Sequence, residues 1–329
     1  MRNTLRLLLI TLLTGLLLCS YSDAAMKKTQ KPMPTSKGAE HKMKTYYMGR
    51  FAIDLPEDFK LEIQSNRFRR VEIEEYPNLK DAEQKWKSRL SEIEKLKKPE
   101  GVKKIIIKEQ PIERLGKWAR GVLYYSDSFA DDECAWEFLV SYGRGAVLFS
   151  LKGGLLEKEN FMYGRVLEVS KAYSPRPFLN QPANHPFYTE HGVIELPYKR
   201  QESTYARFAG PMGMKLEIEM RQIHKEPESG GIISRTIAAM ATGFASGLDI
   251  EKVRSRKKTA ANLPGEEEIL QGSDGENQDL SFDWEYLGTV ESGEKPWIQI
   301  TLDTKPDNRD EKIIIWDQIL NSFRPAYKR

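Results

Sequence analysis

Tyr46-Tyr-Met-Gly-Arg-Phe-Ala-Ile-Asp-Leu-Pro56 and Phe187-Tyr-Thr-Glu-His-Gly-Val-Ile-Glu-Leu-Pro197 are two versions of one pattern. Each opens on an aromatic pair, runs through an alternating apolar stretch and closes on apolar–acid–Leu–Pro. Alternation at period two marks a half-buried strand, and proline ends it because proline offers no N–H to a sheet ladder. The following segments also run in parallel. Each copy continues into a second strand (Arg69–Glu75; Lys215–Arg221) and a long helix. A Trp-Glu-aromatic strand (Trp136-Glu137-Phe138; Trp284-Glu285-Tyr286), another apolar strand and a closing helix complete it. Self-similarity of this kind predicts a tandem duplication. The expected class is α+β: an N-terminal domain over 46–173 and a C-terminal domain over 187–329, each a mainly antiparallel sheet with its helices packed together on one face. Ile53 and Ile194 then occupy equivalent buried positions.

Local signals fill in this frame. Asn78 is the expected cap of the first long helix, with Asp81 near its positive end. Leu79, Ala82, Trp86, Leu90, Ile93 and Leu96 share one face of that helix. Strands are expected at Lys103–Lys108, Trp118–Ser126, Glu133–Tyr142 and Ala146–Lys152, with Phe161, Val166 and Val169 marking the closing helix. In the second copy, Ile232–Leu248 is helical with one charge, Arg235, and many small residues. This helix is buried on more than one side or its outer face meets a partner. Lys252-Val-Arg-Ser-Arg-Lys-Lys258 is the only dense basic run and is read as a solvated helix end rather than a nucleic-acid site. Trp316, Ile319, Leu320 and Phe323 pack the last helix before Pro325 stops it.

The 329-residue chain is nearly balanced in charge, with net +3. Residues 1–24 have the layout of a secretory signal peptide: Arg2 and Arg6, the apolar run Leu7–Leu18, then Ser22-Asp-Ala24 before the cleavage point. Export to the periplasm is the expectation, with anchoring through a lipid on Cys19 as the minority alternative. Residues 25–45 form a basic, Pro-containing leader expected to be flexible. The four prolines of Ser174–Pro186 mark a stiff linker that would set the angle between the domains. Without Cys19, Cys134 alone remains, so no intrachain disulfide can form.

Catalytic patterns are missing. Gly243-Phe-Ala-Ser-Gly247 lacks the register and preceding strand of a nucleophile elbow. Gly143-Arg-Gly145 lacks the third glycine and helix of a dinucleotide site. Asp131-Asp-Glu133 lacks the spaced ligands of a calcium loop and is read as a solvated turn. His41, His185, His191 (expected in a strand) and His224 (expected at a strand's end) form no metal-binding pair, and Cys134 has no histidine near it in sequence. No catalytic, metal or cofactor residue is assigned, and the partner interface is left unassigned.

Several of these features together resemble the two-domain periplasmic immunity proteins of type VI secretion phospholipase effectors. They are the signal peptide, the openings Gly49-Arg-Phe-Ala-Ile-Asp-Leu-Pro56 and Tyr188–Pro197, and the ending Trp316-Asp-Gln-Ile-Leu-Asn-Ser-Phe-Arg-Pro325. The resemblance spans the mature chain and lies in framework positions, so no contact residues carry over. It implies a non-enzymatic inhibitor whose paired domains clamp a lipase-like toxin of α/β-hydrolase fold and obstruct its lid and active-site approach. An exported binding or assembly factor for another envelope protein or lipid is the alternative, and an envelope hydrolase is a third.

Overall fold

The computed structural model describes residues 42–143, 145–175, 186–199, 201–227, 230–243, 249–273, 275 and 278–327. The signal peptide, Cys19, His41, His185 and residues 176–185 of the linker lie outside the described residues. The first half comprises β1 (Met43–Met48), β2 (Phe51–Pro56), β3 (Lys60–Phe68), β4 (Val71–Tyr76), α1 (Ala82–Glu94), β5 (Ile106–Pro111), β6 (Trp118–Tyr125), β7 (Glu133–Ser141), β8 (Ala146–Leu155) and α2 (Glu159–Ala172). After β9 (Tyr173–Pro175) come β10 (Phe187–Tyr188), β11 (Gly192–Ile194), β12 (Ser203–Ala209), β13 (Lys215–Arg221) and α3 (Ile232–Gly243). The chain ends with β14 (Asp249–Ala260), β15 (Leu263–Ser273), β16 (Gln278–Tyr286), β17 (Trp297–Thr304), α4 (Arg309–Ser322) and β18 (Arg324–Pro325).

Twelve strands form one sheet in the order β14-β15-β16-β17-β13-β12-β3-β4-β8-β7-β6-β5. All of its ladders are antiparallel, as expected for an α+β chain. Read outward from the middle, each half uses its strands in the same sequence, so the duplication is visible in the topology. At the offset that aligns the two openings, Gln64 corresponds to Tyr205 and Ser65 to Ala206. These residues pair crosswise, Tyr205 with Ser65 and Ala206 with Gln64. A pseudo-twofold axis therefore passes through the β3–β12 ladder. The equivalent residues Tyr47 and Tyr188 also meet, their ring centroids 4.9 Å apart.

The openings cross over. β1 and β2 form a hairpin that pairs with β18 at the end of the chain. Met48, Phe51, Ile53 and Leu55 join the core of Phe208, Ile218, Phe282, Trp284, Trp316 and Leu320. Conversely, β10 and β11 pair with β9, and Phe187 and Ile194 enter the core of Phe68, Trp136, Phe138, Phe149 and Val166. Each half is closed by the other copy's opening. Ile53 and Ile194 are both fully buried in the middle strand of a three-stranded sheet, as the sequence pattern requires.

Several local expectations need correction. The helices do not share one face. Along β7, Trp136 and Phe138 point to α2, while Ala135 and Leu139 join Trp86 and Ile93 of α1 in a separate cluster. Apolar residues on both faces of β7 require a helical layer on each side. Asp81, not Asn78, caps α1, its carboxylate accepting from the Gln84 N–H at 2.8 Å. Leu96 and Phe161 are exposed. His191 lies in the turn between β10 and β11, and His224 lies in a bend beyond β13. The basic run Lys252–Lys258 is no helix end. It belongs to the edge strand β14, with Ser255, Arg256 and Lys257 opposite Glu268, Glu267 and Glu266 of β15. Opposite charges across a ladder stabilise it, and charges along an outer edge deter strand addition.

A candidate partner interface on the open face of the sheet

The alternation of the central strands determines which surface stays free. On β12 and β13, Ala206, Phe208, Leu216, Ile218 and Met220 are buried. The intervening Tyr205, Arg207, Glu217 and Glu219 point to the opposite face, where pairing brings them level with Ser65 and Ile63 of β3. On that face α1 packs over β6 and β7 and α3 over β14 and β15. The strands near the pseudo-twofold axis carry no helix and form the floor of a trough of about 640 Å³, with Lys85 and Arg89 of α1 on one wall.

The trough is polar and locally charge-balanced. Arg67 donates to Glu72 at 2.6 Å and Lys152 reaches the same carboxylate at 3.3 Å; beyond the trough lining, Arg207 donates to Glu62 at 2.9 Å. Burial acts to raise the Glu72 pKa, but Arg67 and Lys152 outweigh it and hold the carboxyl below its ordinary range. Exposed pairs of this kind contribute roughly 0–1 kcal/mol each to stability. They suit a wet surface that exchanges solvent for a polar partner.

Behind the trough, the Trp-Glu-aromatic motif has a structural explanation. The Glu137 carboxylate is fully buried and receives Arg89 of α1 through two hydrogen bonds of 2.7 Å. Tyr124 also donates to it at 2.8 Å. Glu285, its equivalent, receives Arg235 of α3 at 2.9 and 3.0 Å and the Trp297 indole at 3.0 Å. Each long helix is therefore fastened to the sheet by an Arg–Glu pair: Arg89 meets both Glu137 oxygens through Nε and Nη2, a fork that suits guanidinium and carboxylate, while Arg235 bridges both Glu285 oxygens from Nη2 alone. The lone charge of α3 noted in the sequence is this fastener. The motif and the helix arginine were both visible in sequence, but their distance along the chain concealed the pairing.

Among the described residues, those considered for chemistry do not assemble. Cys134 is buried, its Sγ 3.8 Å from the Met162 Sδ. Burial, followed by the charges of Glu159 and Glu133, pushes its thiol up to about 11, so it stays protonated at neutral pH. His191 contacts its neighbour Glu190 at 3.3 Å, and its backbone N–H is held by Glu75 at 3.1 Å. Asp131 and Asp132 are exposed in the β6–β7 turn. Among the described residues, no group of three or more His, Cys, Asp or Glu side chains is placed to hold a metal ion, and no helix is long and apolar enough to cross a membrane.

The comparisons with known proteins bear on this arrangement directly. Residues 182–326 match the family model described as the Tle cognate immunity protein 4 C-terminal domain. The fold likeness extends over both halves. A structure of the apo immunity protein TplEi of the type VI secretion system of Pseudomonas aeruginosa aligns with a TM-score of 0.72 at 20% identity, covering 87% of this chain and 98% of that one. The crystal structure of a Tle4–Tli4 complex gives 0.72 at 21% identity, with 87% and 98% covered. TplEi bound to an "L" peptide gives 0.68 at 20%, with 87% and 99% covered. At such identities the likeness shows the shared fold. No curated protein sequence matches the chain. The matched stretch begins before β10 and so includes the hairpin that closes the first half.

Proposed function

We propose that the chain is an immunity protein that binds a cognate type VI secretion phospholipase in the periplasm and inhibits it by obstruction. The observation that carries this reading is the immunity-domain match over 182–326, set within a fold shared with type VI immunity proteins across both halves. The signal-peptide layout of residues 1–24 is in keeping with it. The partner is a lipase-like enzyme of α/β-hydrolase fold. The two halves act as the arms of a clamp and cover its lid and active-site approach. Two contact regions on one rigid body bind more tightly than either alone, because the second contact forms at high effective concentration.

The arms of this clamp are not independent modules on a linker. The β3–β12 ladder joins them, the exchanged hairpins interlock them, and a buried ion pair ties them. Arg50 Nε and Nη2 meet Glu202 at 2.7 and 2.6 Å, with both residues almost inaccessible to water. Rescue tests the function. Cells making the partner phospholipase in their periplasm should survive when this chain is exported with it. Lysis despite stable, exported chain would exclude the immunity role and favour the alternative of a general envelope binding factor.

A further inference from the structure

The turn between β3 and β4 contains a feature that folding alone does not explain. Its two central residues, Arg69 and Arg70, both have positive φ, 52° and 69°. A two-residue hairpin of this hand favours Asn-Gly, since a left-handed conformation costs an ordinary residue roughly 1–2 kcal/mol. Arg69 has a structural role that offsets its strain. It is buried, donates to the Pro197 carbonyl at 3.0 Å and lies 2.7 Å from Glu168. Arg70 has no such role: its side chain is exposed and reaches only the Gly153 carbonyl, at 3.5 Å.

Around this turn the positive charge is in excess. Arg165 of α2 stacks its guanidinium 4.6 Å from the ring of Phe161, which is 63% exposed. Lys199 lies 3.9 Å from Glu168, so the ion pairs of Arg69 and Lys199 converge on that single carboxylate. Burial foremost, then the charges of Arg70 and Arg69, lowers the Arg165 pKa against the opposing charge of Glu168, so the three guanidinium groups lie close enough to feel one another. The Arg69 Nε is buried with no hydrogen-bond partner. Strained backbone and unbalanced charge concentrate at binding sites, and arginines beside an exposed aromatic ring have the composition of interface hot spots.

We propose that Arg70, Arg165, Lys199 and Phe161 form a docking corner for an acidic surface segment of the partner phospholipase. The inference rests on the immunity reading above and deepens it by adding a contact outside the trough. Fixed arginines on a tight turn suit fixed carboxylates, to which guanidinium binds with defined geometry. Charge complementarity of this kind acts mainly on the association rate and on its dependence on salt.

The test uses the full-length mature chain and the phospholipase defined by the rescue experiment, with binding kinetics measured from about 50 mM to about 300 mM salt. The variant combines Arg70→Asn, Arg165→Gln and Lys199→Gln. Asparagine is tolerated at positive φ, so the first change relaxes the turn, and thermal melting confirms folding. A second variant, Arg70→Asn with Lys199→Glu, leaves the stacking of Arg165 on Phe161 intact. We expect association at low salt to slow about tenfold in each variant and the salt dependence to flatten, within the range known for electrostatic steering. Unchanged association at every salt concentration in both folded variants would overturn the docking corner while leaving the immunity reading standing. Failure of the wild-type chain to bind would sink both. If phosphatidylglycerol vesicles capture the wild type but not the variants, and enzyme binding is unaltered, the corner is a lipid contact and the proposal is wrong.

Discussion

Because the openings are exchanged, damage to one hairpin should loosen the opposite half of the molecule. Ile53 and Ile194 are both fully buried, in the cores of the C-terminal and N-terminal halves respectively. Replacing either by alanine removes methyl and methylene groups worth roughly 0.8 kcal/mol each. With the cavity left behind, the cost reaches about 2–5 kcal/mol. Hydrogen exchange under native conditions reports where that loss is felt, because sub-global openings expose particular elements. Ile53→Ala should speed exchange in β13, β16, β17 and α4, around Trp284 and Trp316. Ile194→Ala should do so in β7, β8 and α2, around Trp136 and Phe149. If Ile53→Ala instead loosens the Trp136 core and spares Trp284, the exchange of openings is wrong.

Three further outcomes follow from particular groups. Burial, then the neighbouring carboxylates Asp303 and Glu268, raises the Asp283 pKa to about 6 from 3.8. The folded state thus binds its proton more tightly than the unfolded state, and this residue's contribution to stability falls as pH rises from about 4 to about 6. Asp283→Asn should remove that loss and stabilise the protein at pH 7 by about 1–3 kcal/mol, discounted for partial exposure; urea melts at pH 4 and pH 7 would refute it if the gain were equal at both. Lengthening the Ser174–Pro186 segment with Gly-Ser repeats should change inhibition by less than about twofold, because pairing between β3 and β12 fixes the halves and only coupling through the linker would carry a length dependence. Cys134→Ala, His191→Gln and His224→Gln should each inhibit fully when circular dichroism shows them folded, and a folded variant without inhibition would reopen a chemical role.

The duplication and the antiparallel α+β class were legible because period-two alternation and the Leu-Pro stops recur at one offset. The crossing of the openings was not legible. Ile53 needs only an apolar cavity of the right shape, and both halves offer one of the same design. The layer order was misjudged for a related reason. Trp136 and Phe138 signal one buried face, while Glu137 on the other face looks solvent-exposed until Arg89 is found above it. Lys252–Lys258 misled because density of charge was weighed above alternation, although its partners Glu266, Glu267 and Glu268 were already in view. Asp81 rather than Asn78 caps α1 because helix caps are local choices among neighbouring side chains. A polar contact surface has no periodic signature, so the trough and the Arg69–Arg70 turn are visible only in the folded chain.

The most direct test of the account is a titration of the partner phospholipase with the purified mature chain, following hydrolysis of a phospholipid substrate. Obstruction by a binding protein predicts a linear fall in activity that reaches zero at one chain per enzyme, with the chain recovered unaltered. Activity that persists beyond equimolar chain, or that disappears at a small fraction of it as turnover would require, contradicts the account.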